Sequence, residues 1–172
     1  MKQWLKTAVV CVASLLLLGA ASGFIWVWNT EYMAAGSPGQ WLSDTNGFLF
    51  RLDGVSLVSE IPGYGEAKTT ALPGATFVGA EISVRAPEVA PSNGCTFRLV
   101  GAGRNLWWPS TSSTTTATGL CRDAIEAAAA DSMAEVSGTI FFEVPDTYLD
   151  QIMGVAVMSP GLGLESTPML VP

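Results

Sequence analysis

Histidine is absent from the 172 residues. Without imidazole there is no Ser-His-Asp or Cys-His catalysis, no zinc site that needs a histidine ligand and no histidine pH switch. Charge is also scarce. Only 13% of residues are charged, about half the ~25% of an average soluble chain. The charges present are mostly negative, with 8 basic residues against 15 acidic ones for a net −7. Phosphate backbones need a basic face, so nucleic acid is not an expected partner. Cysteine occurs three times, too few for a disulfide-dense scaffold. Hydrophobic residues, at 49%, suffice to build a core, which argues against wholesale disorder. The length suits one domain with an appendage.

The appendage is at the N-terminus. No charge interrupts Thr7 to Thr30, and Ala8 to Trp28 is a run of 21 almost wholly apolar or small residues. As a helix this run is about 32 Å long, enough to cross a hydrocarbon layer of about 30 Å. Lys2 and Lys6 precede it and Glu31 follows, which orients the N-terminus to the cytoplasm. Trp4 at one end and Trp26, Trp28 and Tyr32 at the other have the character of interfacial aromatic belts. The rival reading is a cleaved signal peptide, with Ala20-Ala21-Ser22-Gly23 as the small-residue site. Cleavage after about Ser22 would leave Phe24 to Trp28 as an exposed apolar terminus. Cys11 lies in mid-run after Val9-Val10 and reads as a small apolar helix residue rather than a lipidation site. Residues 1–30 are therefore expected to be a cytoplasmic stub and transmembrane signal-anchor, and the lack of periodicity in the Gly/Pro/Ser stretch makes 31–47 a linker, in which Trp41 and Leu42 are the residues to touch membrane or domain.

From residue 48 onward the period changes to two, the mark of strands with one packed face. Phe48, Phe50 and Leu52 share a side; Asp53-Gly54 bends the strand, and Val55 and Leu57 resume the pattern. Val78, Ala80, Ile82 and Val84 alternate with Phe77, Gly79, Glu81, Ser83 and Arg85. Cys95, Phe97 and Leu99 are expected to point inward, as are Ile140, Phe142 and Val144. Gly154–Met158 and Leu162–Leu170 are weaker strands. Turn pairs such as Pro62-Gly63, Pro73-Gly74, Asn93-Gly94, Pro145-Asp146 and Pro160-Gly161 separate these segments. Six or seven short strands with such punctuation predict an all-β antiparallel sandwich over 48–172. A short surface helix is expected over Ala124–Ala130, capped by Asp123 with Glu126 three residues on. Ser110–Thr118 reads as a flexible loop, with O-linked sugar as the alternative reading.

Lys2 and Lys6 lie in the N-terminal segment, so residues 29–172 keep 6 basic groups against 15 acidic ones, a charge of −9. Cys95 and Cys121 fall on the expected outer side, where an even pair forms a disulfide. They lack the Cys-x-x-Cys spacing of redox dithiols. Their position in the chain also differs from the antibody bridge, so the bond should pin a local excursion.

Three stretches carry a family likeness: GATFVGAEISVRA at residues 74–86, Cys95 together with Gly119-Leu120-Cys121-Arg122-Asp123, and Ile140 to Asp146 (IFFEVPD). With these the chain, over about residues 48–160, resembles the telokin-like, immunoglobulin-fold extracellular proteins of Gram-positive and actinobacterial envelopes. The resemblance implies a seven-stranded immunoglobulin-like sandwich and a role in interaction or envelope structure, with no catalytic residues to carry over.

The remaining chemistry is sparse. The carboxylates are scattered, there is no Gly-x-Ser-x-Gly or phosphate loop, and Gly101-Ala102-Gly103-Arg104 reads as a hairpin turn. Asp44-Thr45-Asn46-Gly47 imitates the start of a calcium loop, but Val55 occupies the far position where an acid is needed. No cofactor and no metal are expected. Adjacent tryptophans on a strand face opposite ways, so one of Trp107 and Trp108 can fill the core while the other meets a partner. The leading expectation is a single-pass, membrane-anchored, extracytoplasmic interaction or accessory module beside a larger membrane or envelope complex. The alternatives are a secreted or anchored domain that binds sugar, lipid or metal, and a carboxylate-based hydrolase.

Overall fold

A computed structural model describes residues 33–63, 67–89, 95–111, 116–158 and 167–172. Residues 1–32, with the apolar run and the rings of Trp4, Trp26, Trp28 and Tyr32, lie outside the described residues, as do the Asn93-Gly94 and Pro160-Gly161 turns. Among the described residues no helix is long and apolar enough to cross a membrane.

Two sheets face each other in a β-sandwich. One has four strands in the order β2 (Leu42–Ser43), β3 (Leu49–Val58), β6 (Ala75–Arg85) and β9 (Val136–Pro145), all neighbours antiparallel. The other has the order β1 (Met33–Ala35), β11 (Thr167–Leu170), β10 (Ile152–Met158), β7 (Thr96–Gly101) and β8 (Leu106–Trp107). Its neighbours are antiparallel except β1 and β11, which run parallel. A separate hairpin, β4 (Glu60–Pro62) with β5 (Lys68–Thr70), extends the β3–β6 connection.

The alternating residues read from the sequence build the core. Phe48, Phe50, Val78, Ala80, Ile82, Val84, Cys95, Phe97, Leu99, Ile140, Phe142 and Val144 are buried in one cluster, with Val155 and Val157 from β10 and Leu170 from β11. Phe50 meets Phe97 edge-on at 5.9 Å between centroids, joining the two sheets. Each valine, leucine, isoleucine or phenylalanine among them contributes about 1.5–3 kcal/mol on burial.

A bulge falls in β3 where Asp53-Gly54 was expected to bend it: Leu52 pairs with Ile82 but Gly54 with Glu81, leaving Asp53 as the extra residue. The insertion restores Val55 and Leu57 to the inner side, opposite Ala80 and Leu57's partner Val78. They are nevertheless 39% and 57% exposed.

Four expectations need correction. The stretch expected to be a linker is, from Met33 onward, part of the sandwich: β1 pairs with β11 and β2 with β3, and Leu42 packs on the core. Strands of two or three residues carry no readable period. The helix, α1, spans Ala117–Ala130, and Thr116, not Asp123, caps it by accepting the Gly119 N–H. Its first turn takes the end of the Ser/Thr stretch, and Leu120, Cys121, Ala124 and Ala128 form a narrow buried stripe, so it is neither short nor superficial. Phe77, expected outward, is 1% exposed. The outer face of the four-stranded sheet is not wholly wet: the Leu72 N–H donates to the outward Glu143 carboxylate, and Phe141 lies across Gly79.

Candidate functional site

Cys95 opens the inner face of β7 and Cys121 lies on the buried stripe of α1. The two are joined as a disulfide with Cα atoms 5.9 Å apart, within the usual span for such a bond. The bond ties α1 to the start of β7. The helix also packs on β6 and β9, so it closes one flank of the sandwich.

The β7–β8 hairpin turns through Ala102–Arg104, with Gly103 at φ 68°. This left-handed conformation suits glycine. Beyond the turn the tryptophans separate as strand alternation requires. Trp107 is paired with Leu99, faces inward and packs on the core; its ring fills the space beside Gly101 and lies 5.9 Å from Tyr148. Trp108 is 68% exposed and lies on the outer face over the Arg98 guanidinium. Arg98 is itself buried, and loss of solvent holds its pKa below the ordinary arginine range. It donates to the Phe97 carbonyl, and among the described residues no carboxylate pairs with it. Leu106, on the same face as Trp108, is 51% exposed. β8 is thus an edge strand that presents Leu106 to solvent, and Trp108 follows it with its ring exposed.

A second constellation, missed in the sequence, covers the outer face of the four-stranded sheet. Arg51 is bound to Asp53 and to Glu135, the latter at 2.8 Å. Arg85 reaches the other Glu135 oxygen at 2.8 Å. Ser83 joins Asp53 and Ser137 through hydrogen bonds. Both guanidinium groups lie over the Trp41 ring, at 4.6 and 4.4 Å from its centroid. Hydrogen bonding from Arg85 holds the Glu135 carboxyl below its usual range, opposed by partial burial and assisted by Ser83 and by the charge of both arginines. The Asp53 hydrogen bond raises the Arg51 guanidinium. Charges of both signs are matched here, and the network clamps β3, β6, β9 and the segment before β2 together. Outward positions at paired registers, Arg51 opposite Ser83 and Leu49 opposite Arg85, were the available signal, readable only once the pairing is known.

Asp44 makes a turn: its Oδ1 accepts the N–H groups of Asn46 and Phe48, both at 2.9 Å, and Gly47 follows at φ 84°. Among the described residues no group of three or more candidate metal ligands converges. The acids that come together do so around an arginine, as Asp53 and Glu135 do at Arg51 and Asp123 and Glu126 at Arg122. Two open clefts lie elsewhere, one of about 600 Å³ between the end of β3 and the β4–β5 hairpin, and one of about 470 Å³ beside Pro38, Asp53 and Pro172. Neither is lined by Trp107 or Trp108.

No family model matches the chain, and no curated protein matches it. Among solved structures it is similar to an uncharacterised β-sandwich protein of Clostridium difficile 630, at 8% identity and a TM-score of 0.46, over 80% of this chain and 92% of that one. It is likewise similar to a conserved hypothetical protein of Bacillus anthracis, at 8% identity and a TM-score of 0.44, over 76% and 93% of the two chains.

Proposed function

We propose that this chain is a single-pass, membrane-anchored, extracytoplasmic module with an immunoglobulin-like sandwich. It serves as an interaction or accessory subunit beside a larger membrane or envelope complex. The anchor in this reading is the uncharged Ala8–Trp28 run with its flanking lysines and rings. The immunoglobulin-like assignment, and with it the telokin-like relationship, draws support from chain order. In that fold one sheet reads A-B-E-D and the other G-F-C, with C′ added in variable-type domains. β3-β6-β9 occupies A-B-E and β11-β10-β7-β8 occupies G-F-C-C′, with α1 at the place of D. The disulfide between β7 and α1 departs from the antibody pattern, which bridges B and F.

The observation that carries the interaction role is the exposed pair Leu106, on edge strand β8, and Trp108, which directly follows it. Tryptophan is enriched at binding hot spots, where a few residues dominate the energy. The test is co-purification of the full chain from mild detergent. The expected result is a stable partner that is lost on Trp108→Ala with the melting temperature unchanged. Recovery of no partner, or of the same partner by the variant, overturns the proposal. Binding of a sugar, lipid or metal ion would instead shift tryptophan fluorescence on titration, through Trp108 as the exposed ring.

A further inference from the structure

We infer that the partner bound at Trp108 and Leu106 is a protein that presents an aspartate or glutamate carboxylate to Arg98. The inference rests on the interaction role proposed above and names the chemistry of the docking residue. Arg98 is 6% exposed, and it pairs with no carboxylate among the described residues. The other described cations are matched: Arg51 and Arg85 by Glu135, Lys68 by Glu60, and Arg122 by Asp123 and Glu126. Arg98 is thus the one cation among the described side chains without an acid. An arginine keeps its charge in a protein, and a buried charge is costly unless it is paired. The missing half of the pair is what the partner brings.

The hydrogen bonds identify the open edge of the guanidinium. Nη1 donates to the Phe97 carbonyl at 3.0 Å, and the Trp108 ring covers one face of the plane. Nε and Nη2 have no partner among the described residues. Their N–H groups lie on one side of the fork, where a carboxylate accepts two parallel bonds. The buried side-chain nitrogen without a partner among the described residues is Arg85 Nε, so both free Arg98 donors still touch solvent. Outward positions around Arg98 are Thr96 and Val100 on β7, Ala156 and Met158 on β10 and Met169 on β11, with no acid among them. Trp108 and Leu106, 68% and 51% exposed, form the open margin of this face. An apolar rim around one charge-assisted pair is the make-up of a binding hot spot, where tryptophan and arginine are enriched. Residues 29–172 carry −9, so an acidic partner is repelled elsewhere and accepted at this position. A polyanionic surface is disfavoured, because a body of that charge with one open cation is repelled by it.

The test selects random displayed peptides on the full-length protein in mild detergent and measures their affinities. The expected peptides carry an aspartate or glutamate beside apolar residues and are lost on Trp108→Ala. Changing that acid to its amide should weaken binding about 30-fold or more, and the same change should have no effect on binding to the Arg98→Met protein. Arg98→Lys keeps the charge without the fork and should retain only part of the affinity. Unchanged melting curves show that the fold is kept. The amide change is made in the peptide, so it decides the matter even where Arg98→Met does not fold. Peptides that are lost on Trp108→Ala but indifferent to the amide change overturn the inference and leave the interaction role standing. Peptides that all ignore Trp108→Ala overturn both. Selection of no acidic peptide overturns the inference, as does a soluble short-chain phosphatidylglycerol that binds more tightly than any peptide and is lost on Arg98→Met.

Discussion

Removal of the Cys95–Cys121 disulfide should cost the sandwich a large part of its stability without displacing the core. The bond joins residues 26 apart in sequence. On the chain-entropy account, closing a loop of that length stabilises the folded state by about 3.5 kcal/mol. Cys95 and Cys121 are 2% and 0% exposed, so serine would bury two hydroxyls and confound the result. Alanine at both positions is the appropriate change. For a body of this size each kcal/mol moves the melting temperature by several degrees, so the double variant should melt roughly 10–15 °C below the parent. The parent under reductant should fall toward the same value, and the variant should ignore reductant. In urea the variant should also show a steeper slope, because its unfolded chain is less constrained and exposes more surface. The assay is near-ultraviolet dichroism on full-length protein in detergent. A melting temperature within about 3 °C of the parent, or a variant still sensitive to reductant, would refute the reasoning.

Glu135→Gln should lower stability at neutral pH by at most about 1 kcal/mol, since the ion pairs are partly exposed. Glu135 has a lowered folded-state pKa, so its contribution is present above the ordinary carboxyl range and is lost as the pH falls through the folded value. An acid unfolding series should show the parent losing this increment below about pH 4.5, and the variant curve should be flatter there. Gly154→Ala should loosen β10 from β11, because an added Cβ would collide with the Leu170 carbonyl oxygen; faster amide exchange at Val155 and Leu170 measures it. Phe142→Ala removes a ring buried at the centre of β9 and should cost about 3–5 kcal/mol in chemical denaturation.

The sandwich was legible because four strands, β3, β6, β7 and β9, place apolar residues at every second position, and the inward residues read from that pattern are buried. Even the irregular part of β3 could be read, since Asp53-Gly54 is a poor strand pair between two good runs. What escaped depends on partners distant in sequence. Phe77 looks outward by parity, but nothing local reveals that the outer surface around it is covered. Met33–Ala35 becomes a strand only because β11 offers it an edge. Thr116 caps a helix that begins with alanine, threonine and glycine, none of which marks an apolar stripe. Trp41, Arg51, Arg85 and Glu135 come together through strand register. For the tryptophan pair, alternation gave the division of labour between Trp107 and Trp108, and the direction of each followed from the pairing of Trp107 with Leu99.

The parallel pairing of Met33–Ala35 with Thr167–Met169 has a mechanical consequence. The two ends of the body leave from opposite ends of neighbouring strands. Tension applied between the N-terminal and C-terminal sides therefore runs along these strands and strains their cross-links together, instead of peeling them one at a time. A body hung in this way resists stretching far better than one whose terminal strands open like a zip.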